Sequence, residues 1–174
     1  MVSAPEGVTR LAYEEEELQL LRSFSPLMAQ GLVQVHFTDD GSLEDLEEKL
    51  DENQYHILHF SGHGGYANGR GYLSLENRDT GEEEKISAEK FCQSLGKLAR
   101  KKHRPPLIVL SACQTAKGVA EGDISGLADM LLISGVPGVI AMAANILDGC
   151  ATLFTAKFYE QLVSSYPLSA AFGE

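Results

Sequence analysis

Leu107-Ile108-Val109-Leu110 is aliphatic throughout, opened by Pro105-Pro106 and too short for a helix. It reads as a strand buried on both faces, the kind found in the middle of a parallel sheet. Tyr55 to Ser61 is a second apolar strand, and it runs into a turn bracketed by Gly62, Gly64 and Gly65. Leu32 to Phe37 alternates like a third, and Val136 to Met142 supplies a fourth. Helical patterns fall between the strands. Glu14 to about Phe24 carries apolar Leu18, Leu20, Leu21 and Phe24 behind an acidic first turn, and Pro26 marks its expected end. Ser42 caps a helix from Leu43 to about Asp51, with Asp45 completing a capping-box-like pattern. Ser87 caps another from Ala88 to about Leu98, and Ile124 to Ser134 and Cys150 to Ser164 follow. Asn68-Gly69-Arg70-Gly71 and Asn77 to Gly81 are turn signals around Tyr72 to Leu75, which predicts a small β-hairpin. Met1 to Val8 is turn chemistry with no strand in front of it.

Strands alternating with helices give an α/β fold with a mostly parallel central sheet and helices on both faces. The chain of 174 residues, 44% hydrophobic and 22% charged, suits one soluble domain. A net charge of -11 disfavours direct contact with nucleic acid and favours a basic peptide or partner. No run is long and apolar enough for a membrane span, and no signal segment opens the chain. Cys92, Cys113 and Cys150 stand at unrelated spacings that give neither a disulfide framework nor a metal pattern, and a reducing cytoplasm suits them.

The candidate chemistry lies where two strands end. Cys113 follows the Leu107–Leu110 run and His63 follows the Tyr55–Ser61 strand. Ligands and reactive groups in open α/β sheets gather at the carboxyl ends of the strands. If the two strands are parallel neighbours, Cys113 and His63 emerge on one edge as a nucleophile and its base. A free thiol has a pKa near 8.5, so a nearby imidazole must raise the thiolate fraction or take the proton during attack.

His59-Phe60-Ser61-Gly62-His63-Gly64 and Leu110-Ser111-Ala112-Cys113-Gln114-Thr115-Ala116 together resemble the CHAT domain, a caspase-like cysteine peptidase domain of the clan that includes caspases and separases. The likeness continues through Gly126-Leu127-Ala128, Gly135 to Ile140, Asp148 and Phe158-Tyr159, and covers nearly the whole chain. It implies a caspase-like three-layer sandwich and peptide hydrolysis by a His63–Cys113 dyad, with no metal or organic cofactor. It also implies an oxyanion hole from the backbone amides of Gly64 and Cys113. Asp148, with Asn145 in the same segment, then takes a substrate-binding position for a basic residue before the cut. Asp148 serves equally well as an N-cap for the helix that follows. The resemblance further implies a first strand upstream of Met1, continuation past Glu174, and an attached sensor such as a TPR module. The chain then reads as a fragment of a longer polypeptide. The Gly-spaced segment Ala116 to Asp123 is a candidate switch.

Two other readings of the same residues stand beside the endopeptidase. One is a catalytically silent scaffold for protein partners, and the other is a thiol acyl hydrolase or transferase on the same dyad. A zinc site from His59, His63 and Cys113 lacks a fourth ligand at a sensible spacing. His59 and Cys92 read as core packing. The basic cluster from Lys97 to Arg104 reads first as charge at a helix carboxyl end and otherwise as a docking patch for an acidic partner.

Overall fold

The aliphatic run after Pro105-Pro106 forms β4 (Leu107–Cys113), with β1 (Ile57–Ala67) on one side and β5 (Gly138–Ala141) on the other, all three parallel. β2 (Arg70–Glu76) pairs antiparallel with the far half of β1, and β3 (Glu83–Ser87) pairs antiparallel with β2. The sheet order is β3-β2-β1-β4-β5, so every strand but β2 runs in one direction. The computed structural model that shows this describes residues 1–9, 11–67, 70–100, 104–113, 123–141 and 148–164. They divide into two compact units, Met1–Leu11 with Phe37–Ile146 and Ala12–His36 with Leu147–Glu174.

In the first unit, strand periodicity separates two faces of the sheet. Leu58, Phe60, Leu73, Leu75, Ile108 and Leu110 share one face and are fully or nearly fully buried. Against them lie α2 (Leu43–Glu52), α3 (Ala88–Arg100) and α4 (Asp123–Ile133), whose Leu46, Leu50, Phe91, Leu95, Leu127 and Leu131 complete one hydrophobic core. This is an α/β sandwich of the caspase-like kind. The opposite face is mixed: Leu107, Val109 and Ile140 are buried on it beside polar residues. Ser61, His63, Ser74 and Ser111 lie on it and are buried, while His59 is only half-buried there rather than packed in the core.

Local chemistry sets the helix ends. Asp45 N–H donates to Ser42 Oγ at 3.1 Å, the expected cap. Asp45 itself reaches past Ser42, its Oδ2 accepting from Asp39 N–H at 2.5 Å and Asp40 N–H at 3.1 Å. Ser87 Oγ likewise accepts from Lys90 N–H at 3.2 Å. Behind α4, Gly135 takes a φ of 90°, and Val136 N–H closes back on Leu131 O at 3.0 Å. Arg104 Nη1 donates to Ser134 O at 2.8 Å and its Nη2 to Gly135 O. Lys97 pairs with Glu47 of α2. Two members of the basic cluster are therefore occupied in holding helix ends and neighbours, while Lys101, Lys102 and His103 lie outside the described residues.

Several expectations are corrected. β1 does not turn after Ser61 but runs straight on through His63 to Ala67. Its glycines answer to packing instead, because a Cβ at Gly62 would meet the Phe60 ring at 2.6 Å and one at Gly65 the Tyr72 hydroxyl at 2.6 Å. The hairpin thus includes the His63 strand itself, with Gly65 opposite Tyr72. β3 went unforeseen, since only Ile86 of its five residues is buried. Met1 to Ser3 is extended, not turned: it lies parallel beside β1, with Ser3 N–H on Ser61 O and Ser61 N–H on Met1 O, both at 3.0 Å. Leu32 to Phe37 forms no strand among the described residues, and Leu32 is 68% exposed. Alternation without a buried face to pair against does not suffice.

The second unit pairs α1 (Tyr13–Met28) with α5 (Asp148–Val163). α1 runs past Pro26, which supplies no N–H to the carbonyl of Arg22, and ends two residues later at Met28. Phe24 lies 4.9 Å from Tyr159 between ring centroids, and Ser23 Oγ bonds Ala156 O at 3.3 Å. Thr155 Oγ1 donates to Glu16 at 3.3 Å, and burial, reinforced by Glu16, pushes the Tyr159 hydroxyl pKa up.

Candidate active site

Parallel pairing brings the two proposed catalytic residues together. The β1–β4 register ends at His63↔Cys113, so the last residue of β4 lies directly beside His63. Neighbouring strands are about 4.8 Å apart. The expectation that the two strands are parallel neighbours holds. His63 differs in being inside a strand rather than on a turn, which fixes it on both sides: β4 pairs with it at Cys113 and β2 at Ser74. The Cys113 side chain and the segment 114–122 lie outside what is described.

His63 is 4% exposed. Its Nε2 lies 2.6 Å from the backbone oxygen of Thr9. A carbonyl oxygen can only accept, so Nε2 carries the proton in this contact. In the neutral imidazole the lone pair then belongs to Nδ1, which is buried and has no hydrogen-bond partner among the described residues. The ring is therefore held by one nitrogen and left with a free base at the other. Sequence reading missed Thr9, because a backbone carbonyl carries no residue signature.

Gly64 lies opposite Leu73, and a Cβ there would come within 3.3 Å of the Tyr72 backbone oxygen and 3.7 Å of Ala112 Cβ. Asp148 is the first residue of α5, in the second unit, which agrees within a residue or two with a helix-start position. Asn145 lies outside the described residues. The structure thus brings His63, Gly64 and Cys113 together on adjoining strands.

The other cysteines differ in setting. Cys92 on α3 is buried, and burial pushes its thiol pKa up, away from the thiolate a nucleophile needs. Cys150 is exposed in the first turn of α5. Among the described residues no group of three or more His, Cys, Asp or Glu side chains is placed to hold a metal ion. No described helix is long and apolar enough to cross a membrane.

A comparison with curated proteins found no match. Residues 2–174 match the CHAT domain. With that match spanning the sheet and the His63–Cys113 pairing, the chain belongs to the CHAT domain family, which is related to the caspase-like peptidases.

Proposed function

We propose that this domain is a cysteine endopeptidase that cuts after Arg or Lys, works in the cytoplasm, and is controlled by an attached sensor module or partner. The observation that carries the reading is the end-of-strand register of His63 with Cys113, combined with an imidazole whose free nitrogen is Nδ1. Cys113 gives its thiol proton to His63 Nδ1, and the sulfur attacks the substrate carbonyl carbon. The backbone amides of Gly64 and Cys113 stabilise the oxyanion. The carbon–nitrogen bond then breaks, and Nδ1–H protonates the leaving amine. Water, deprotonated by the same nitrogen, hydrolyses the thioester and restores the thiol. Throughout, Thr9 O keeps the imidazolium oriented and shares its charge. Asp148, with Asn145 nearby in sequence, accepts the basic side chain before the cut through charge-assisted hydrogen bonds.

The test is digestion of a peptide library, with the residue before each cut read by mass spectrometry. Cuts after Arg or Lys are expected, falling by about a thousandfold or more in Cys113→Ala and in His63→Ala. Cuts after other residues would reject the assignment of Asp148. Hydrolysis of simple thioesters with no peptide cleavage would replace the endopeptidase by a thiol acyl hydrolase.

A further inference from the structure

His63 and Cys113 lie on different strands, and the sheet order gives the two halves of a cleaved substrate different neighbours. The acyl half stays on Cys113, on β4. The leaving half departs with the proton from His63, on β1, and the strands outward from His63 are β2 and then β3. Residues paired across strands share a face of the sheet. Gly65 is two positions beyond His63 on the same face, and Tyr72 is its partner on β2. Lys85 on β3 is the partner of Ser74, itself opposite His63. Tyr72 and Lys85 therefore flank His63 on the leaving-group side.

Their arrangement is built. The Tyr72 ring folds down over Gly65, with its hydroxyl 2.6 Å and its Cζ 2.8 Å from where a Cβ would stand. Glycine at position 65 leaves that space to the ring as it stands. Lys85 Nζ lies 5.0 Å from the ring centroid, and its side chain remains 54% exposed. A cation over an aromatic face is attracted to it, so the ammonium is steadied above the ring. Glu83 Oε2 pairs with it at 3.7 Å, while Oε1 of that carboxylate accepts from Ser74 Oγ at 2.5 Å. An ammonium and a phenol hydroxyl thus stand together on the His63 face of the sheet, one and two strands out from the proposed general acid, on a chain whose net charge is -11.

We infer that Tyr72 and Lys85 form a leaving-side subsite that selects a carboxylate side chain within the first two residues after the cleaved bond. This inference rests on the peptidase reading. It adds a preference on the far side of the cut, where an acidic residue is attracted although the domain as a whole repels it. The substrate signature becomes a basic residue before the bond and an acidic one after it.

The experiment compares paired peptides of one sequence carrying Glu or Gln at the first or second position after the cut. The ratio of their kcat/KM values is measured for the wild type, Lys85→Gln, Lys85→Glu and Tyr72→Phe. The wild type should favour Glu by roughly tenfold, the size of one partly exposed charge-assisted hydrogen bond. Lys85→Gln should bring the ratio close to one, Lys85→Glu should invert it, and Tyr72→Phe, which keeps the ring, should reduce it. A wild-type ratio of one, or a preference that survives Lys85→Glu, overturns the subsite while leaving the peptidase intact. Absence of any Cys113-dependent cleavage of these peptides overturns the peptidase reading and the subsite with it.

Discussion

Gly62 and Gly65 are both covered by an aromatic ring, yet the consequences of filling them differ. A Cβ at Gly62 would sit 2.6 Å from Phe60 Cζ and 3.2 Å from Ser3 O. Phe60 is fully buried in the core and cannot swing aside. Gly62→Ala should therefore destabilise the fold by about 1–3 kcal/mol, the usual cost of overpacking, and lower the melting temperature accordingly. A Cβ at Gly65 meets first the far end of the Tyr72 side chain, which is half-buried rather than locked in the core. Gly65→Ala should cost well under half as much stability. Calorimetry on the two variants decides the point, and equal losses would show that the Tyr72 ring is as immobile as Phe60. The same contrast explains why these residues misled as a turn. Four residues rich in glycine signal a bend when glycine is needed for its backbone freedom, but here it is needed because neighbouring rings occupy the place of a side chain.

Elements whose ends are fixed by contiguous residues were legible, and those fixed by distant partners were not. The Ser42 and Ser87 caps are written in a few consecutive positions, and both form. The Leu107–Leu110 run declares a buried strand because every position is aliphatic. By contrast, β3 exists because β2 offers it an edge, and its charged residues suit an exposed edge strand better than they advertise a strand. In the candidate site, His63 and Cys113 were readable from their residue types and strand-end context. The tautomer of His63 was not, since it depends on the Thr9 carbonyl reaching back across the unit. Caps also differ in how much rests on them. Ser42 Oγ satisfies one amide, whereas Asp45, 2% exposed, satisfies those of Asp39 and Asp40. Loss of the serine cap should cost about 1 kcal/mol. Asp45→Ala leaves two amides without their charged acceptor and should cost about 2–3 kcal/mol. Chemical denaturation of Ser42→Ala and Asp45→Ala tests this ordering, and a larger loss for Ser42→Ala would mean that water replaces Asp45 at no cost.

At the scale of the whole molecule, 25 acidic side chains face 14 Lys and Arg, and the excess acts in two opposed ways. Close pairs such as Arg78 with Glu48 at 2.6 Å, Lys49 with Asp39 at 2.9 Å and Lys90 with Glu84 at 3.0 Å favour the fold and weaken as salt is added. Repulsion among the surplus carboxylates opposes the compact state and weakens too. The pairs lie at the surface, where such contacts contribute little because water already solvates both partners. Repulsion acts over many separations at once, and those longer than the screening length respond most. That length falls from about 30 Å at 0.01 M to about 8 Å at 0.15 M. The surplus should win, so that the melting temperature rises as sodium chloride is raised across this range at pH 7. A basic peptide should bind more weakly over the same range, because the acidic field that attracts it is screened. A melting temperature that falls with salt would show instead that the local pairs outweigh the net charge. Charge-neutralising Arg78→Gln should then remove most of the fall, since Arg78 stands at the centre of the contacts with Glu48 and Asp40.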